Sequence, residues 1–327
     1  MVKVMVGLFF TLGGLYIAFR KIDLPALGEV LSRVDGAWVI LGAGLLVLSV
    51  WIRAMRWRIL MGPIAKVRVA PLFSTTMIGY FGNAILPLRM GELLRAHALH
   101  RTVASVTTAS AFGTIVVERL LDLLGAIVLM VVFFALYPVP PWLEKSGILL
   151  GAVAGGSSLV LWWMARTHRE WLDRMDSVSM LQGTIGSEIR RLLHSFVEGL
   201  ITLKEANHTG RVVLFTALLW LMYWVITQFS AYALHISLSW VEIGVMLVAT
   251  TMIISVPSAP GYIGTYHAAA FLIMTELFEK PETASRAYAI VNHAVGFVPL
   301  ILIGFFFLMR SSVRFGELGR LDMEERP

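Results

Sequence analysis

PLRMG at residues 87–91 and PGYIG at residues 260–264 interrupt two long apolar segments of the 327-residue chain. Proline removes a backbone donor and glycine loosens a helix, so each bend leaves backbone polar groups that hydrocarbon cannot satisfy. Such backbone is tolerated at membrane depth only where protein covers it or water reaches it. Two matching bends, one in each half of the chain, are typical of a transport-type site near the middle of a membrane.

The composition around these bends is that of a polytopic membrane protein. Hydrophobic residues make up 57% of the chain and charged residues only 15%, which is too apolar for a soluble domain. Eight stretches carry few or no charges, and most approach the roughly 20 residues that cross a bilayer. They are residues 4–19, 36–52, 69–88, 123–143, 146–165, 212–234, 243–270 and 287–309.

The distribution of Lys and Arg predicts the topology, because basic loops stay in the cytoplasm. The basic segments are residues 53–68, which include Arg53 and Arg56, residues 166–211 and the tail after Arg310. The segments 69–101 and 243–275 then each begin and end on one side of the membrane, and must turn back at their bends. The sequence thus predicts an all-α integral membrane protein with about six spanning helices, two oppositely oriented re-entrant helical hairpins and both termini in the cytoplasm.

The two hairpins and their flanking spans recur in the same order, which predicts an inverted repeat. We assign residues 1–310 to a single membrane domain, with repeat 1 at residues 37–137 and repeat 2 at residues 211–309. Between the repeats, residues 167–208 have apolar positions at helical spacing, which predicts an amphipathic segment on the cytoplasmic leaflet. Residues 311–327 form a short cytoplasmic tail.

Charged and polar side chains concentrate around the first bend. The candidate residues are Asn83, Arg89, Glu92, Arg95, Glu118, Arg119 and Asp122. Charges at membrane depth are costly, face inward and mark substrate or ion paths. Glu118 and Asp122 share a helix face because they are four residues apart. Two interpretations stay open: a substrate pathway, or a structural network in which Glu92 pairs with Arg119 and Arg89 with Asp122.

Arg89 lies two residues past the helix-breaking Pro87. Backbone donors at such a break and the fork of donors on a guanidinium can together hold a phosphate. We therefore predict that Arg89 contacts an anionic group.

The second bend is polar without being charged. Its candidate residues are Ser258, Tyr262, Thr265, Tyr266 and His267. Hydroxyls and aromatic faces suit a lipid headgroup that must be released as well as bound. Tyr262 and Tyr266, taken singly, are more typical of interfacial anchors. Asn292 and His293 in the last apolar stretch are predicted to hydrogen-bond between helices. The residues that shape the two bends are Pro87, Gly91, Pro257, Pro260, Gly261 and Gly264.

Several kinds of site are missing from the sequence. The chain has no cysteine, which excludes thiolate metal ligands and cysteine nucleophiles. There is no phosphate-binding glycine loop, dinucleotide fingerprint or paired-aspartate metal motif, and no third ligand accompanies His97 and His100. The net charge of +6 is explained by basic loops between spans. We therefore expect no cofactor, no metal site and no nucleic-acid partner.

Three stretches together resemble the lysylphosphatidylglycerol synthase transmembrane, or flippase-like, family: GYFGNAILPLRMGELLRA, TIVVERLLD and VPSAPGYIGTYHAA. The likeness covers the chain from Met1 to about Arg310. In aminoacyl-phospholipid enzymes of that family this membrane portion is joined to a soluble synthase domain. The resemblance therefore implies the translocating part alone. It implies that the functional positions of the family fall on Pro257, Pro260, Gly261, Gly264 and His267 in the second half, and in the first half on Asn83, Pro87, Arg89, Gly91, Glu92, Glu118, Arg119 and Asp122.

Motifs and resemblance together predict a lipid translocase of the bacterial inner membrane. It would move an anionic phospholipid or a polyprenyl-phosphate-type lipid, with the headgroup in a polar cavity between the hairpins. On this interpretation the protein is not an enzyme, its partners are membrane lipids, and candidate protein partners are a second copy of the chain or enzymes of envelope biosynthesis. The alternatives are a membrane-embedded glycosyltransferase or lipid-synthesis enzyme, and a non-catalytic scaffold of an envelope biosynthesis complex.

Overall fold

The computed structural model describes residues 12–20, 22–86, 90–167, 209–255 and 260–311, and every regular element in these ranges is helical. Residues 12–19 form α1, followed by α2 (Leu24–Ser32), α3 (Gly36–Met61), α4 (Val69–Ile85), α5 (Gly91–Thr102), α6 (Thr108–Leu136), α7 (Pro141–Arg166), α8 (Thr209–Ala233), α9 (Trp240–Ser255), α10 (Thr265–Leu272) and α11 (Glu282–Arg310). The predicted all-α class is confirmed. The predicted amphipathic segment and the tail lie outside the described residues, apart from Thr167 and Ser311.

Four of the described helices, α3, α6, α8 and α11, are long and apolar enough to cross a membrane. They contain 26, 29, 25 and 29 residues, and each exceeds the length that about 30 Å of hydrocarbon requires. All four expose large apolar side chains, as lipid contact requires: examples are Ile40, Val128, Leu221 and Leu302. These observations establish an α-helical membrane protein. Crossing by α7 and by the first helix, of which only residues 12–19 are described, stays a prediction.

Two spanning helices are longer than the sequence predicted. The predicted span 36–52 continues to Met61, and the helix predicted to begin near Glu118 begins at Thr108. Polar side chains cap both starts: Asp35 accepts the amide of Ala37 at 2.9 Å and Thr107 accepts the amide of Ser110 at 3.0 Å. The prediction that Arg53 and Arg56 lie in a cytoplasmic loop is wrong, because both are buried inside α3.

The helices are interrupted at both predicted bends. Helix α4 ends at Ile85, Leu86 has an extended backbone, and α5 begins at Gly91. After α9, a 3₁₀ turn at Pro260–Tyr262 precedes α10, and Gly261 and Gly264 have positive φ angles of 66° and 93°. Glycine adopts such angles without steric cost. Pro87 and Pro257 themselves lie outside the described residues.

The interrupted pieces pack into the bundle of long helices. Helices α3 and α8 pack along each other, α4 packs on α5 and α11, and α10 packs on α9 and α11. Helices α4 and α5 run antiparallel, since Gly79 lies beside Arg95 and Gly82 lies beside Gly91. A Cβ on Gly91 would overlap the carbonyl oxygen of Gly79. The close contact of these two helices therefore depends on glycine.

Candidate functional site

Three helices bring seven charged side chains together near the first bend. Helix α3 contributes Arg53 and Arg56, α5 contributes Glu92 and Arg95, and α6 contributes Glu118, Arg119 and Asp122. We call these seven residues the arginine cluster. Five of them are candidate residues from the sequence, and the structure brings all five into one network. Arg89 lies outside the described residues.

Glu118 lies at the centre of the arginine cluster and is fully buried. It accepts hydrogen bonds from both terminal nitrogens of Arg95, at 2.8 and 3.0 Å, in a two-pronged pairing. Arg53 donates to the same carboxylate at 2.8 Å. A buried carboxylate stays ionised only when cations compensate its desolvation. Two guanidiniums do so here, and Glu118 thereby joins α3, α5 and α6.

Asp122 lies one helical turn beyond Glu118 and binds both of the arginines that α3 contributes to the cluster. Its two oxygens accept hydrogen bonds from Arg53 at 2.7 Å and from Arg56 at 2.6 Å. Helix α8 completes the coordination, because Arg53 also donates to Tyr223 at 3.0 Å and Arg56 to Thr216 at 2.9 Å. Arg53 therefore bridges both carboxylates of α6, as their spacing of four residues allows.

Arg95 is held from a second direction by an aromatic ring. Its guanidinium carbon lies 3.8 Å from the ring centroid of Trp57, within the range of a cation–π contact. The indole nitrogen of Trp57 donates to the hydroxyl of Thr114 at 2.8 Å. Arg95 is therefore fixed by both a carboxylate and a ring, which is the geometry of a structural residue.

Arg119 differs from the other three arginines of the cluster. Its contacts with Glu92, Asp122 and Glu118 are longer, at 3.1, 3.5 and 3.8 Å. Its side chain is 32% exposed, whereas the side chains of Arg53, Arg56 and Arg95 are at most 4% exposed. Arg119 is thus the most accessible and least tightly bound cation of the cluster, and the predicted pairing of Glu92 with Arg119 is present.

The arginine cluster has more positive than negative groups. Its seven described members comprise four guanidiniums and three carboxylates, which gives a formal charge of +1 when all are ionised. A buried cluster with an excess cation attracts an anion, because the excess is not neutralised by solvent. The least constrained guanidinium, that of Arg119, is the one positioned to make such a contact.

Arg53 and Arg56 were missed by the sequence analysis because charge counting treats arginines near the end of a span as loop residues. Two sequence signals could have placed them in the helix. They are three residues apart and so share a helix face, and no helix-breaking residue occurs before Gly62 and Pro63. Their partners, however, are 65 or more positions away in sequence, and no local pattern predicts that pairing.

Asn83 connects the break after α4 to the arginine cluster. Its side-chain amide donates to Glu92 at 3.3 Å, and its carbonyl oxygen is buried without a hydrogen-bond partner among the described residues. Gly91, the first residue of α5, lies directly against the backbone of Asn83. This side chain is therefore placed beside both the bend and the most accessible end of the cluster.

The second bend carries an uncharged group of polar side chains. Tyr266 and His267 on α10 face Asn292 and His293 on α11, and we call these four residues the histidine cluster. Asn292 donates to the hydroxyl of Tyr266 at 2.7 Å, and the Nε2 of His293 lies 2.8 Å from the carbonyl oxygen of Gly261. The predicted interhelical hydrogen bonding of Asn292 is confirmed, and His293 bonds the turn of the second bend.

The interpretation of Tyr262 and Tyr266 as interfacial anchors is wrong. Both are buried, with 7% and 6% of their surface exposed, and both pack against Phe297 with ring centroids 5.5 and 5.9 Å apart. The hydroxyl of Thr265 donates to the carbonyl oxygen of Tyr262 at 3.3 Å. These residues therefore build the interior of the second bend. Ser258 lies outside the described residues.

The two bends contact each other. The turn at Pro260–Tyr262 packs on the end of α4, and a Cβ on Gly261 would lie 3.7 Å from the carbonyl oxygen of Ala84. Ala84 follows Asn83 of the first bend, and the carbonyl oxygen of Gly261 binds His293. A series of contacts therefore links the two clusters: Glu92 with Asn83, the adjacent Ala84 with Gly261, and Gly261 with His293.

Comparison with known proteins gives two matches. The chain matches the family described as the lysylphosphatidylglycerol synthase TM region over residues 4–304. It is also similar to the glycosyltransferase AglD of Haloferax volcanii, with 26% identity over 326 residues, covering 90% of this chain and 52% of that protein. The chain thus spans about half the length of this curated relative. No solved structure matches.

The similarity to AglD corrects one prediction. The expectation that the protein is not an enzyme is contradicted, because AglD is named for an enzymatic activity. That expectation rested on missing sequence motifs for nucleotide-sugar and metal binding. Motifs identify a site only where it uses a known local pattern, and side chains assembled from distant helices, like those of the arginine cluster, leave no such pattern.

Proposed function

We propose that this chain, which belongs to the lysylphosphatidylglycerol synthase TM region family, moves an anionic lipid headgroup across the bacterial inner membrane. The cargo class is a phospholipid or a polyprenyl-phosphate-type lipid, and the tails stay in the bilayer. One observation carries the proposal: the buried arginine cluster has one more guanidinium than carboxylate among its described members, and the accessible guanidinium is that of Arg119.

The physical task of such a protein is to compensate phosphate charge at membrane depth. A bare ion in hydrocarbon is prohibitively costly, so the path must supply opposite charge. Arg119 meets this need because its contacts are long and shared among three carboxylates. A phosphate can replace them with short, two-pronged hydrogen bonds. Arg53, Arg56 and Arg95 keep Glu118 and Asp122 in place during the exchange, and Asn83 donates to Glu92. Arg89 is proposed as a second contact with the phosphate.

We further propose that the two bends belong to re-entrant hairpins in an inverted repeat. Pro87 and Pro260 are 173 positions apart. Shifting the bounds of α3, α4, α5 and α6 by this number reproduces, within three residues, those of α8, α9, α10 with its following π turn, and α11. Packing follows the same pattern, because α4 packs on α11 and α9 packs on α6. A rocking motion of one repeat against the other would open the clusters to alternate sides.

A second candidate function is glycosyl transfer to or from a lipid phosphate. The observation that favours it is the similarity to AglD over 90% of this chain. Sugar donors and lipid carriers in such reactions are phosphate esters, so they would require the same anion site. The candidates differ in one respect: glycosyl transfer forms a new glycosidic bond, and translocation leaves the lipid chemically unchanged.

Reconstituted proteoliposomes test the proposal. Fluorescent analogues of an anionic phospholipid and of a polyprenyl phosphate are placed in one leaflet, and their arrival in the other is measured by quenching. Arg119→Gln should slow transfer about tenfold or more, because hydrogen bonds to charged groups contribute about 1.5–3 kcal/mol. Arg33→Gln is the matched control, since Arg33 is exposed and its one ion pair with a described residue is with Glu29 on α2.

Two results would contradict the proposal. If the wild-type protein transfers every anionic lipid no faster than empty liposomes do, translocation is refuted as its function. If Arg119→Gln and the wild type transfer lipid at equal rates, the proposal that Arg119 binds the phosphate is refuted. Incubation of the same liposomes with radiolabelled sugar donors, followed by chromatography of the lipids, tests the second candidate. A labelled glycolipid would favour glycosyl transfer.

A further inference from the structure

His267 in the histidine cluster has an unexplained feature. It is only 8% exposed, and its Nδ1 is buried without a hydrogen-bond partner among the described residues. A buried polar atom left unpaired is destabilising, and such atoms in native proteins usually reflect a functional demand. Phenylalanine would fill the same space at no such cost. The imidazole at this position therefore requires an explanation beyond packing.

Ring packing holds His267 in place, and neither of its nitrogens forms a hydrogen bond with a described residue. Its centroid lies 4.6 Å from that of His293 and 5.8 Å from that of Phe19 on α1. His293 is itself bound to the turn through Gly261. Helix α1 approaches closely, because a Cβ on Gly14 would overlap the backbone of Gly264. The imidazole of His267 is thus oriented by ring packing, which leaves its hydrogen-bonding capacity for a ligand.

The histidine cluster lies on the two helices of the second half that correspond to α5 and α6, and its Asn292 is the counterpart of Arg119. The 173-residue shift maps α5 and α6 onto α10 and α11. Every charged member of the arginine cluster then has an uncharged counterpart: Ile226, Phe229, Thr265, Ala268, Val291, Asn292 and Val295. The second half therefore has no charged side chains at the positions where the first half forms ion pairs, and only Thr265 and Asn292 among these counterparts can form side-chain hydrogen bonds.

The two clusters lie at different depths. Arg53 precedes the end of α3 by eight residues and Asn292 follows the start of α11 by ten. With a rise of about 1.5 Å per residue, they lie about 12 and 15 Å from those helix ends. In the proposed topology the two ends face opposite sides of the membrane. The clusters are then successive positions along one path, joined where Gly261 contacts Ala84.

We propose that His267 is the centre of a second, uncharged binding site for the phosphate headgroup of the lipid, on the external side of the bends. The inference rests on the proposed function. An imidazole N–H donates to a phosphate oxygen without an ion pair, so this site holds the headgroup more weakly than the arginine cluster does. The headgroup is captured at Arg119 and released past His267, and the uncharged second site makes release fast.

His267→Phe separates this role from a packing role. The variant keeps an aromatic ring beside Phe19 and His293 and removes only the nitrogens. Because Nδ1 has no described partner, the thermal unfolding midpoint should stay equal to that of the wild type or rise. Transfer of the anionic phospholipid should fall about tenfold. Equilibrium binding of the same lipid, measured by quenching of tryptophan fluorescence, should stay within about twofold, since the arginine cluster is intact.

Two further variants complete the experiment. His267→Asn restores a hydrogen-bonding side chain and should recover part of the lost transfer. Tyr137→Phe is the matched control, because it also removes one polar group from an aromatic side chain, here the hydroxyl that donates to the carbonyl oxygen of Leu277 at 3.2 Å. Its transfer rate should equal that of the wild type.

The outcomes distinguish this site from the proposed function. Wild-type transfer by His267→Phe, together with slow transfer by Arg119→Gln, overturns the second site and leaves the proposed function standing. Slow transfer with equally weakened lipid binding also overturns it, because the residue would then belong to the first site. If His267→Phe unfolds, His267→Leu, which also lacks both ring nitrogens, decides by the same two measurements. Absence of transfer by the wild-type protein removes the proposed function and the second site together.

Discussion

Replacing Glu118 with glutamine tests whether the arginine cluster is a balanced network. The variant keeps the shape of the side chain and one oxygen acceptor, but it removes the only carboxylate that is fully buried among the described residues. The formal charge of the described cluster then rises from +1 to +2. Arg53 and Arg95, both almost fully buried, lose the anion that accepts three of their hydrogen bonds. Breaking a buried ion pair from one side costs about 3–5 kcal/mol.

A second substitution should recover much of this loss. In Glu118→Gln combined with Arg95→Met, the cluster returns to a formal charge of +1, and the methionine keeps an apolar contact with Trp57. Replacing both members of a buried pair is often close to neutral. The double variant should therefore be more stable than Glu118→Gln alone, which is the opposite of additive behaviour.

The assay is a double-mutant cycle on the free energy of unfolding. Purified protein in detergent micelles is unfolded with a denaturing detergent, and tryptophan fluorescence reports the transition, since the chain has ten tryptophans. Glu29→Gln is the control, because the exposed pair of Glu29 with Arg33 should contribute less than about 1 kcal/mol. Loss of less than about 1 kcal/mol in Glu118→Gln, or a double variant less stable than the single one, would refute the reasoning.

Three further predictions concern packing and anchoring. Gly91→Ala should destabilise the protein by about 1–3 kcal/mol, because the new methyl group overlaps the carbonyl oxygen of Gly79; the same unfolding assay measures it. Trp57→Phe keeps a ring on Arg95 but loses the hydrogen bond to Thr114, and should cost about 1 kcal/mol. Arg286→Gln removes the guanidinium that binds carbonyl oxygens at the end of α1. Amide hydrogen exchange should then accelerate in residues 12–19 and not in α3.

The helix interruptions were predictable because their cause is local. Proline and glycine act on the backbone within a few residues, and the structure interrupts both apolar segments where these residues occur. The ends of the spans were less predictable. Hydropathy ends a span at the first charged residue, so it ended the second span before Arg53, although the helix continues for nine more residues. A charge ends a membrane helix only when no partner compensates it.

The candidate site was predictable only where its signal is local in sequence. Glu118 and Asp122 stand out because carboxylates inside an apolar helix are rare, and their spacing gives the shared face. The identity of their cations was not predictable, since Arg53 and Arg56 come from another helix and are separated from them by 65 or more positions. Only the packing of α3 against α6 brings those groups together.

The arrangement of the cluster explains how a membrane protein can hold an excess of positive charge among its helices. Three guanidiniums would repel one another if the carboxylates were absent, and three carboxylates would neutralise the site completely if Arg119 were absent. Fixing Arg53, Arg56 and Arg95 on Glu118 and Asp122 concentrates the excess charge on the one arginine with long contacts. Lipid translocation and glycosyl transfer both handle phosphate esters, so both require such a site, and loss of Arg119 should impair either. A sugar donor that is consumed only in the presence of the protein is therefore the observation that separates them.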